Sequence, residues 1–229
     1  MEQIYTIPVN EAFEAAAKEG GCPFCRLYEK LEADELELIL GASMMEPDVR
    51  VKTNEAGFCP EHFGKLLDGG KRLPLALMLE SHLEHITDML KPGMFPAKTA
   101  ADAAKKLNAV AHGCYICDRI EYNFSRMIET AALLWQSDPA FREKTAAQDH
   151  FCLNHYARFL AAAKERLSKR ELSDFYKTVG AAEAEYIGKL KEDVSRFCKK
   201  FDYRYPDEPW EGANDAPERA IRFLTGERE

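Results

Sequence analysis

The sequence lacks a long apolar run, a dense basic segment and any excess of glycine or proline. Its 229 residues include 13 Gly and 11 Pro, which excludes a collagen-like or low-complexity chain. Uncharged apolar runs such as those at 73–79 and 131–136 are far shorter than the roughly 20 residues of a transmembrane helix. The first residues show no secretory signal pattern. We therefore expect a cytoplasmic protein that does not bind a membrane.

The chain also lacks the signatures of several large function classes. Its net charge is −8, and it has no basic cluster denser than 164–170, so we do not expect nucleic acid as a partner. No serine–histidine–acid order, phosphate-binding glycine loop or H-E-x-x-H motif is present. No stretch alternates between apolar and polar residues as a half-buried strand would. The hydrophobic content of 46% is nevertheless enough for a packed core.

An internal repeat organises the cysteines. The motif G-C-P-F-C at 21–25 aligns with G-C-Y-I-C at 113–117 after a shift of 92 residues. The motif F-C-P-E-H at 58–62 aligns with F-C-L-N-H at 151–155 after a shift of 93. The alignment covers six of the seven cysteines. We infer that the chain is a duplication.

Each copy has the form C-x2-C, then 33 or 34 residues, then C-x2-H. The two cysteines of a C-x2-C motif at the start of a helix can bind one ion. The cysteine and histidine of a C-x2-H motif then complete a tetrahedral site. A site with four protein ligands is structural, because no coordination position remains for water. We expect two Zn²⁺ per chain, with iron–sulfur ligation as the alternative. The predicted metal ligands are Cys22, Cys25, Cys59, His62, Cys114, Cys117, Cys152 and His155.

Spacing alone leaves open which half-sites share an ion. Closing Cys25 onto Cys59 rather than onto Cys152 saves roughly 1.2 kcal/mol of loop-closure free energy, which is a weak preference. A single ancestral copy would also need a complete site for stability. We therefore predict local grouping, in which the CxxC and the CxxH of one copy bind the same ion. The alternatives are exchange between copies and one cluster of all eight ligands.

The pattern between and after these motifs is helical. Apolar residues recur at helical spacing over 120–135, and helices are predicted over about 60–68, 73–91 and 153–167. A capping box at Ser168–Glu171 opens a helix whose apolar stripe extends to Phe201. The predicted fold is all-α, with two tandem helical repeats at 1–91 and 98–201 that are each pinned by a Cys3His metal site. Residues 92–97 are the linker.

A C-terminal segment, 202–229, stands outside the repeat. It is rich in aromatic residues and proline, and it ends in a short helix that a capping box at Asp215–Glu218 opens and Gly226 closes. We expect this tail to pack on the body through its aromatic side chains. A partner-binding segment is the alternative.

Four further features are candidates for function. His82 and His85 share a helix face and could hold a metal, but we favour solvated histidines on an amphipathic helix. Cys198 lies on an apolar stripe and is expected to be buried. Two pairs recur in both copies, which favours a shared structural role such as an ion pair or a contact to a ligand histidine. These pairs are Glu29 with Glu121 and Arg50 with Arg142.

The competing hypothesis is a thiol-based redox protein or sensor that uses the CxxC pairs. Cys22-Pro23-Phe24-Cys25 resembles the active-site loop of a glutaredoxin or thioredoxin. That chemistry needs a cysteine of lowered pKa at a helix N-terminus above a parallel sheet. No βαβ pattern surrounds this loop, and its counterpart has Tyr115 and Ile116 between the cysteines.

The chain also resembles a known family. The resemblance rests on five motifs and on the segment 75–83. The motifs are C-P-F-C at 22–25, M-M-E-P-D-V-R at 44–50, F-C-P-E-H at 58–62, C-Y-I-C-D-R-I-E at 114–121 and D-E-P-W at 207–210. The family is an uncharacterised bacterial one, classed only as a domain of unknown function. The resemblance implies a bacterial cytosolic protein and no known activity. We expect a zinc-binding helical protein, not an enzyme, that has a regulatory role or binds an unknown protein partner.

Overall fold

The computed structural model describes residues 3–91, 94–205 and 209–226. These residues form eleven α-helices and no β-strand, which confirms the all-α prediction. None of these helices is both long and apolar enough to cross a membrane. The helices are α1 (Thr6–Glu19), α2 (Pro23–Ile39), α3 (Pro47–Ala56), α4 (Pro60–Asp68), α5 (Arg72–Met89), α6 (Pro96–His112), α7 (Tyr115–Ser137), α8 (Pro139–Ala146), α9 (Leu153–Arg166), α10 (Lys169–Lys199) and α11 (Ala216–Thr225).

Local sequence signals explain several of these helix boundaries. The side chain of Asp138 accepts a hydrogen bond from the Ala140 N–H and caps α8. The capping box that opens α10 is present, with Ser168 and Glu171 bonded reciprocally. The box predicted for α11 is wrong, because Asp215 makes no cap hydrogen bond. Its carboxylate accepts instead from Arg219 at 3.0 Å.

The described residues divide into two compact units. Unit 1 contains residues 1–29 and 124–229, and unit 2 contains residues 30–123. The unit boundaries differ from the repeat boundaries predicted from the sequence, because α2 and α7 each begin in one unit and end in the other. Parts of two sequence-based assignments lie outside the described residues. These parts are Pro92 and Gly93 of the linker and Asp207 and Glu208 of D-E-P-W.

The core of unit 1 is a group of buried phenylalanines. Phe13 of α1 lies 4.7 Å from Phe141 of α8 between ring centroids, and Phe24 of α2 lies 5.0 Å from Phe159 of α9. These contacts place the start of α2 against α9. The predicted stripe of α7 is buried in full. The stripe of α10 is buried at Val179 and Leu190 but exposed at Ile187, and Phe201, which follows the end of α10, is exposed as well.

The C-terminal helix α11 packs within unit 1. Phe223 of α11 lies 5.7 Å from Tyr186 and 6.2 Å from His150 between ring centroids. In the segment before α11, Trp210 lies 5.8 Å from Phe197 of α10. These aromatic contacts join the described part of the C-terminal segment to α10 and to the loop before α9.

Unit 2 has a smaller, mainly aliphatic core. Its buried side chains include Ile39, Met44, Leu66 and Met78. Helix α6 has no buried residue among its described side chains. Unit 2 is therefore less densely packed with aromatic rings than unit 1.

Glu183 is a buried carboxylate in the middle of α10. Its side chain is only 3% exposed. One carboxylate oxygen accepts a hydrogen bond from the Phe151 N–H, whereas the other has no partner among the described residues. Burial raises the pKa of Glu183 from 4.5 to about 7.

This pKa predicts a pH-dependent stability that Glu183→Gln should remove. Between pH 4.5 and 7 the folded chain retains a proton that the unfolded chain has released, so stability falls as pH rises. The total loss should be roughly 3 kcal/mol. Urea unfolding across this pH range should show a flatter profile for Glu183→Gln, which keeps an acceptor for Phe151. The exposed Glu185→Gln is the control, and equal slopes for Glu183→Gln and the parent would contradict the prediction.

Candidate metal centres

Each cysteine motif lies at the first turn of a helix. The carbonyls of Cys22 and Cys114 accept the first backbone hydrogen bonds of α2 and α7, from Arg26 at 3.4 Å and Asp118 at 3.0 Å. Cys59 and Cys152 are the N-cap residues of α4 and α9, with extended backbones. The N-terminal end of a helix favours negative charge, so these positions favour thiolates.

The structure brings the eight predicted ligands together in two groups of four. Cluster 1 consists of Cys22, Cys25, Cys152 and His155, and cluster 2 consists of Cys59, His62, Cys114 and Cys117. In each cluster, the four potential ligand atoms lie within 4.8 Å of one another. Cluster 1 lies in unit 1, and cluster 2 lies in unit 2.

In cluster 1 the histidine Nδ1 faces three sulfurs. His155 Nδ1 lies 3.7 Å from Cys22 Sγ, 3.4 Å from Cys25 Sγ and 3.2 Å from Cys152 Sγ. The sulfurs of Cys25 and Cys152 are 3.7 Å apart. The four atoms therefore surround one common point.

Cluster 2 has the same arrangement. His62 Nδ1 lies 3.1 Å from Cys59 Sγ, 3.2 Å from Cys114 Sγ and 3.3 Å from Cys117 Sγ. The sulfurs of Cys59 and Cys117 are 3.9 Å apart.

These distances fit a single tetrahedral zinc ion. With Zn–S bonds of about 2.3 Å and Zn–N bonds of about 2.0 Å, a regular tetrahedron has S–S edges of about 3.8 Å and N–S edges of about 3.5 Å. The sulfur pairs of the two clusters, at 3.7 and 3.9 Å, match the first value. The nitrogen–sulfur distances lie on both sides of the second value, from 3.1 Å for His62 and Cys59 to 3.7 Å for His155 and Cys22. The donor set and its geometry therefore fit zinc.

The grouping of the half-sites corrects the sequence-based prediction. Each cluster joins the CxxC of one copy to the CxxH of the other, so local grouping is wrong. The loop-closure preference for local grouping was only roughly 1.2 kcal/mol. In unit 1, Phe24 between the two cysteines of the CxxC contacts Phe151 and Phe159 beside the distant CxxH. Aromatic pairs contribute roughly 0.5–1.5 kcal/mol each, so two of them can offset this preference.

In unit 2, a close backbone contact joins the two motifs. The Tyr115 N–H donates to the Gly57 carbonyl at 3.0 Å, so the start of α7 is bonded to the loop before Cys59. The neighbouring Gly113 lies so close to this loop that a Cβ would be 2.4 Å from the Ala56 carbonyl oxygen. Gly57 itself has a φ of +63°, which glycine adopts without strain.

A carboxylate that sequence analysis missed contacts the histidine of cluster 2. Because His62 Nδ1 faces the sulfurs, Nε2 carries the hydrogen and donates to Glu32 Oε1 at 3.1 Å. Lys65 Nζ donates to the other oxygen of Glu32 at 2.6 Å. Such a carboxylate holds the ring of a metal-bound histidine in place and raises its basicity.

The histidine of cluster 1 has aromatic neighbours instead. The His155 ring lies 5.0 Å from Phe124 and 6.1 Å from Phe24 between centroids, with edge-to-face geometry in both pairs. Phe124 is the residue of α7 that aligns with Glu32 of α2 at the shift of 92. The two clusters thus share their donor set but differ in their surroundings.

Without a cation, the three sulfurs of cluster 1 cannot all be charged. Burial raises the pKa of the Cys22 thiol well above its ordinary value. Hydrogen bonds from Cys22 and Cys25 lower the pKa of Cys152, which holds the negative charge. Burial also raises the pKa of Cys117 in cluster 2. A divalent ion is what would allow three neighbouring thiolates to coexist.

The remaining candidates take no part in a cluster. His82 of α5 is buried rather than solvated, and its Nδ1 lies 3.1 Å from the Asn54 carbonyl oxygen of α3. Cys198 is exposed rather than buried. Arg50 and Arg142 donate to backbone carbonyls of other helices, those of Leu77 at 2.8 Å and Gln136 at 2.6 Å.

The close approach at Gly113 predicts that Gly113→Ala destabilises the chain. The added Cβ would meet two backbone oxygens, those of Ala56 at 2.4 Å and Ala109 at 3.0 Å, so the backbone must shift. The expected loss is about 1–3 kcal/mol in urea unfolding. Gly64→Ala in α4 is the control, because a Cβ there meets nothing within 4 Å and should raise stability slightly. An unchanged stability of Gly113→Ala would show that the two motifs are not held by this contact.

Comparison with known proteins gives a family but no activity. Searches of curated proteins and of solved structures found no match. A family model described as "Family of unknown function (DUF6062)" matches residues 1–229. The match spans the whole chain, including both cysteine clusters, and agrees with the resemblance inferred from the motifs. The protein therefore belongs to the DUF6062 family.

Proposed function

We propose that this protein binds two zinc ions at closed structural centres and serves a protein partner or a regulatory role through its helical surface. The observation that carries the zinc proposal is the geometry of the two Cys3His clusters, whose edges match those of a tetrahedral zinc site. Each ion would have four protein ligands. No coordination position would remain for a substrate or for a catalytic water.

Zinc at these centres would stabilise the fold. Each ion would join two helix starts that are far apart in sequence, such as Cys25 and Cys152. Structural zinc contributes on the order of 10 kcal/mol or more in small domains. It would also neutralise most of the charge that three buried thiolates create, and leave a net charge of −1 per centre. Metal binding and folding should therefore be coupled.

The geometry favours zinc over an iron–sulfur cluster. In a cluster with several irons, the protein ligands bind different irons and are spread apart. Here all four ligand atoms lie within 4.8 Å, which suits one ion. Zinc thiolates also require reduced cysteines, in keeping with the cytoplasmic location that we propose.

Thiol–disulfide exchange at the CxxC of cluster 1 is less well supported. Exchange needs an accessible thiolate with a lowered pKa. Cys22 and Cys25 are 0% and 2% exposed, and burial raises the pKa of Cys22. The loop also opens a helix in an all-α unit rather than one above a parallel sheet.

Metal analysis of paired variants tests both the ion and the grouping. Protein purified without chelator should contain about two zinc ions per chain by mass spectrometry. Cys59→Ser with Cys114→Ser should remove one equivalent, because both residues belong to cluster 2. Cys22→Ser with Cys59→Ser should remove both equivalents.

Cys198→Ser is the matched control and should retain both ions, because Cys198 is in neither cluster. Protein that contains no metal would overturn the zinc proposal. The reverse pattern in the two double variants would restore local grouping.

The contact between Glu32 and His62 predicts a second effect on cluster 2. In a Cys152→Ser background only this cluster should bind zinc, so its affinity can be measured by chelator competition. Glu32→Gln should weaken zinc binding by roughly 10- to 100-fold, because His62 loses its charged partner.

Glu61→Gln is the control for this measurement. Glu61 is a second acidic partner of Lys65, at 3.4 Å, and lies on α4 next to His62. Equal affinities for Glu32→Gln and Glu61→Gln would show that the carboxylate does not act on the metal ligand.

A further inference from the structure

The two clusters are exposed to solvent through opposite kinds of ligand. In cluster 1 all three cysteines are buried, and the histidine, His155, is half-buried. A Cβ at Gly226 would lie 3.7 Å from Cys152 Sγ and 3.8 Å from Cys25 Sγ, so the end of α11 covers two of the sulfurs. Reagents that attack sulfur are therefore excluded from this centre.

Cluster 2 has the reverse arrangement. Its histidine, His62, is 1% exposed and is held by Glu32. Cys114 is buried as well, whereas Cys59 and Cys117 are half-buried. These two half-buried cysteines lie at the starts of different helices, α4 and α7, and their sulfurs are 3.9 Å apart.

We propose that cluster 2 is a peroxide-reactive zinc centre in which Cys59 and Cys117 form a disulfide and release the ion. This inference rests on the proposed function, because it requires zinc at cluster 2. The oxidant is hydrogen peroxide. Cluster 1 keeps its ion under the same conditions and preserves the fold of unit 1.

The reaction needs only the peroxide, the two thiolates and two protons from the solvent. A zinc-bound thiolate, Cys59 or Cys117, attacks one peroxide oxygen; an S–O bond forms, the O–O bond breaks and hydroxide leaves. The second thiolate attacks the resulting sulfenic sulfur; the S–S bond forms and the S–O bond breaks. Two protons convert both hydroxides to water. The two sulfurs lose two electrons to the peroxide, and Zn²⁺ leaves with its charge unchanged.

Charge and ligand number favour this reaction at a Cys3His centre. Three thiolates and one Zn²⁺ have a net charge of −1, so the sulfurs remain electron-rich and nucleophilic. Loss of two of the four ligands leaves only Cys114 and His62, which cannot hold the ion tightly. The disulfide is therefore coupled to zinc release.

Exposure, rather than sulfur spacing, distinguishes the two centres. Cys25 and Cys152 of cluster 1 are 3.7 Å apart, a spacing close to that of Cys59 and Cys117. They are nevertheless only 2% and 0% exposed. One chain thus contains a reactive centre and a protected centre with the same donor set, and the second serves as an internal control.

The test uses the zinc-loaded full chain with Cys198→Ser, because Cys198 is an exposed thiol that would compete for oxidant. Hydrogen peroxide is added, zinc release is followed with a chromogenic chelator, and disulfides are mapped by mass spectrometry. One equivalent should leave at least about tenfold faster than the other. The mapped disulfide should be Cys59–Cys117.

Two variants assign the rates. When Cys152→Ser is added to the Cys198→Ser chain, the remaining ion is in cluster 2 and should leave fast. When Cys59→Ser is added instead, the remaining ion is in cluster 1 and should leave slowly. Should either variant fail to fold, the disulfide map of the Cys198→Ser protein decides alone. Equal rates, faster release from cluster 1, or a Cys25–Cys152 or Cys114–Cys117 disulfide would overturn this inference and leave the zinc proposal intact. A chain without zinc before oxidation would overturn both.

Discussion

Three cysteines and a histidine packed within 4.8 Å of one another are the constraint on which both units depend. The three sulfurs of each cluster are so close together that they would repel one another if all were ionised without a cation. Four helix N-termini supply these side chains, two for each cluster. The positions of α2, α4, α7 and α9 are therefore tied to the geometry of the two centres.

The parts of the fold that local signals determine could be predicted from the sequence. Proline at the first position of α4 and the capping box of α10 act within one helical turn, so these helices begin where the motifs indicate. The eight clustered residues could also be identified, because the spacing of CxxC and CxxH is local. Helix α1 has no such signal, since Tyr5 at its N-cap makes no side-chain cap bond.

The grouping of half-sites could not be predicted, because it depends on packing between distant segments. Loop-closure entropy changes only with the logarithm of loop length, so it separates the alternatives weakly. The contacts that matter, such as Phe24 with Phe159 and Tyr115 with Gly57, have no signature in the pattern of cysteines. Glu32 was missed for the same reason, since it contacts His62 from a different helix, 30 residues away in sequence.

The exchange of half-sites also constrains how such a chain could arise. A polypeptide with one repeat has one CxxC and one CxxH, and in the arrangement seen here these two motifs belong to different clusters. Two copies of that shorter chain, however, contain every ligand that both centres need. A symmetric dimer of the shorter chain, in which each subunit supplied one half of both clusters, is an ancestor compatible with this geometry. Gene fusion would then have changed a concentration-dependent assembly into a single folding chain.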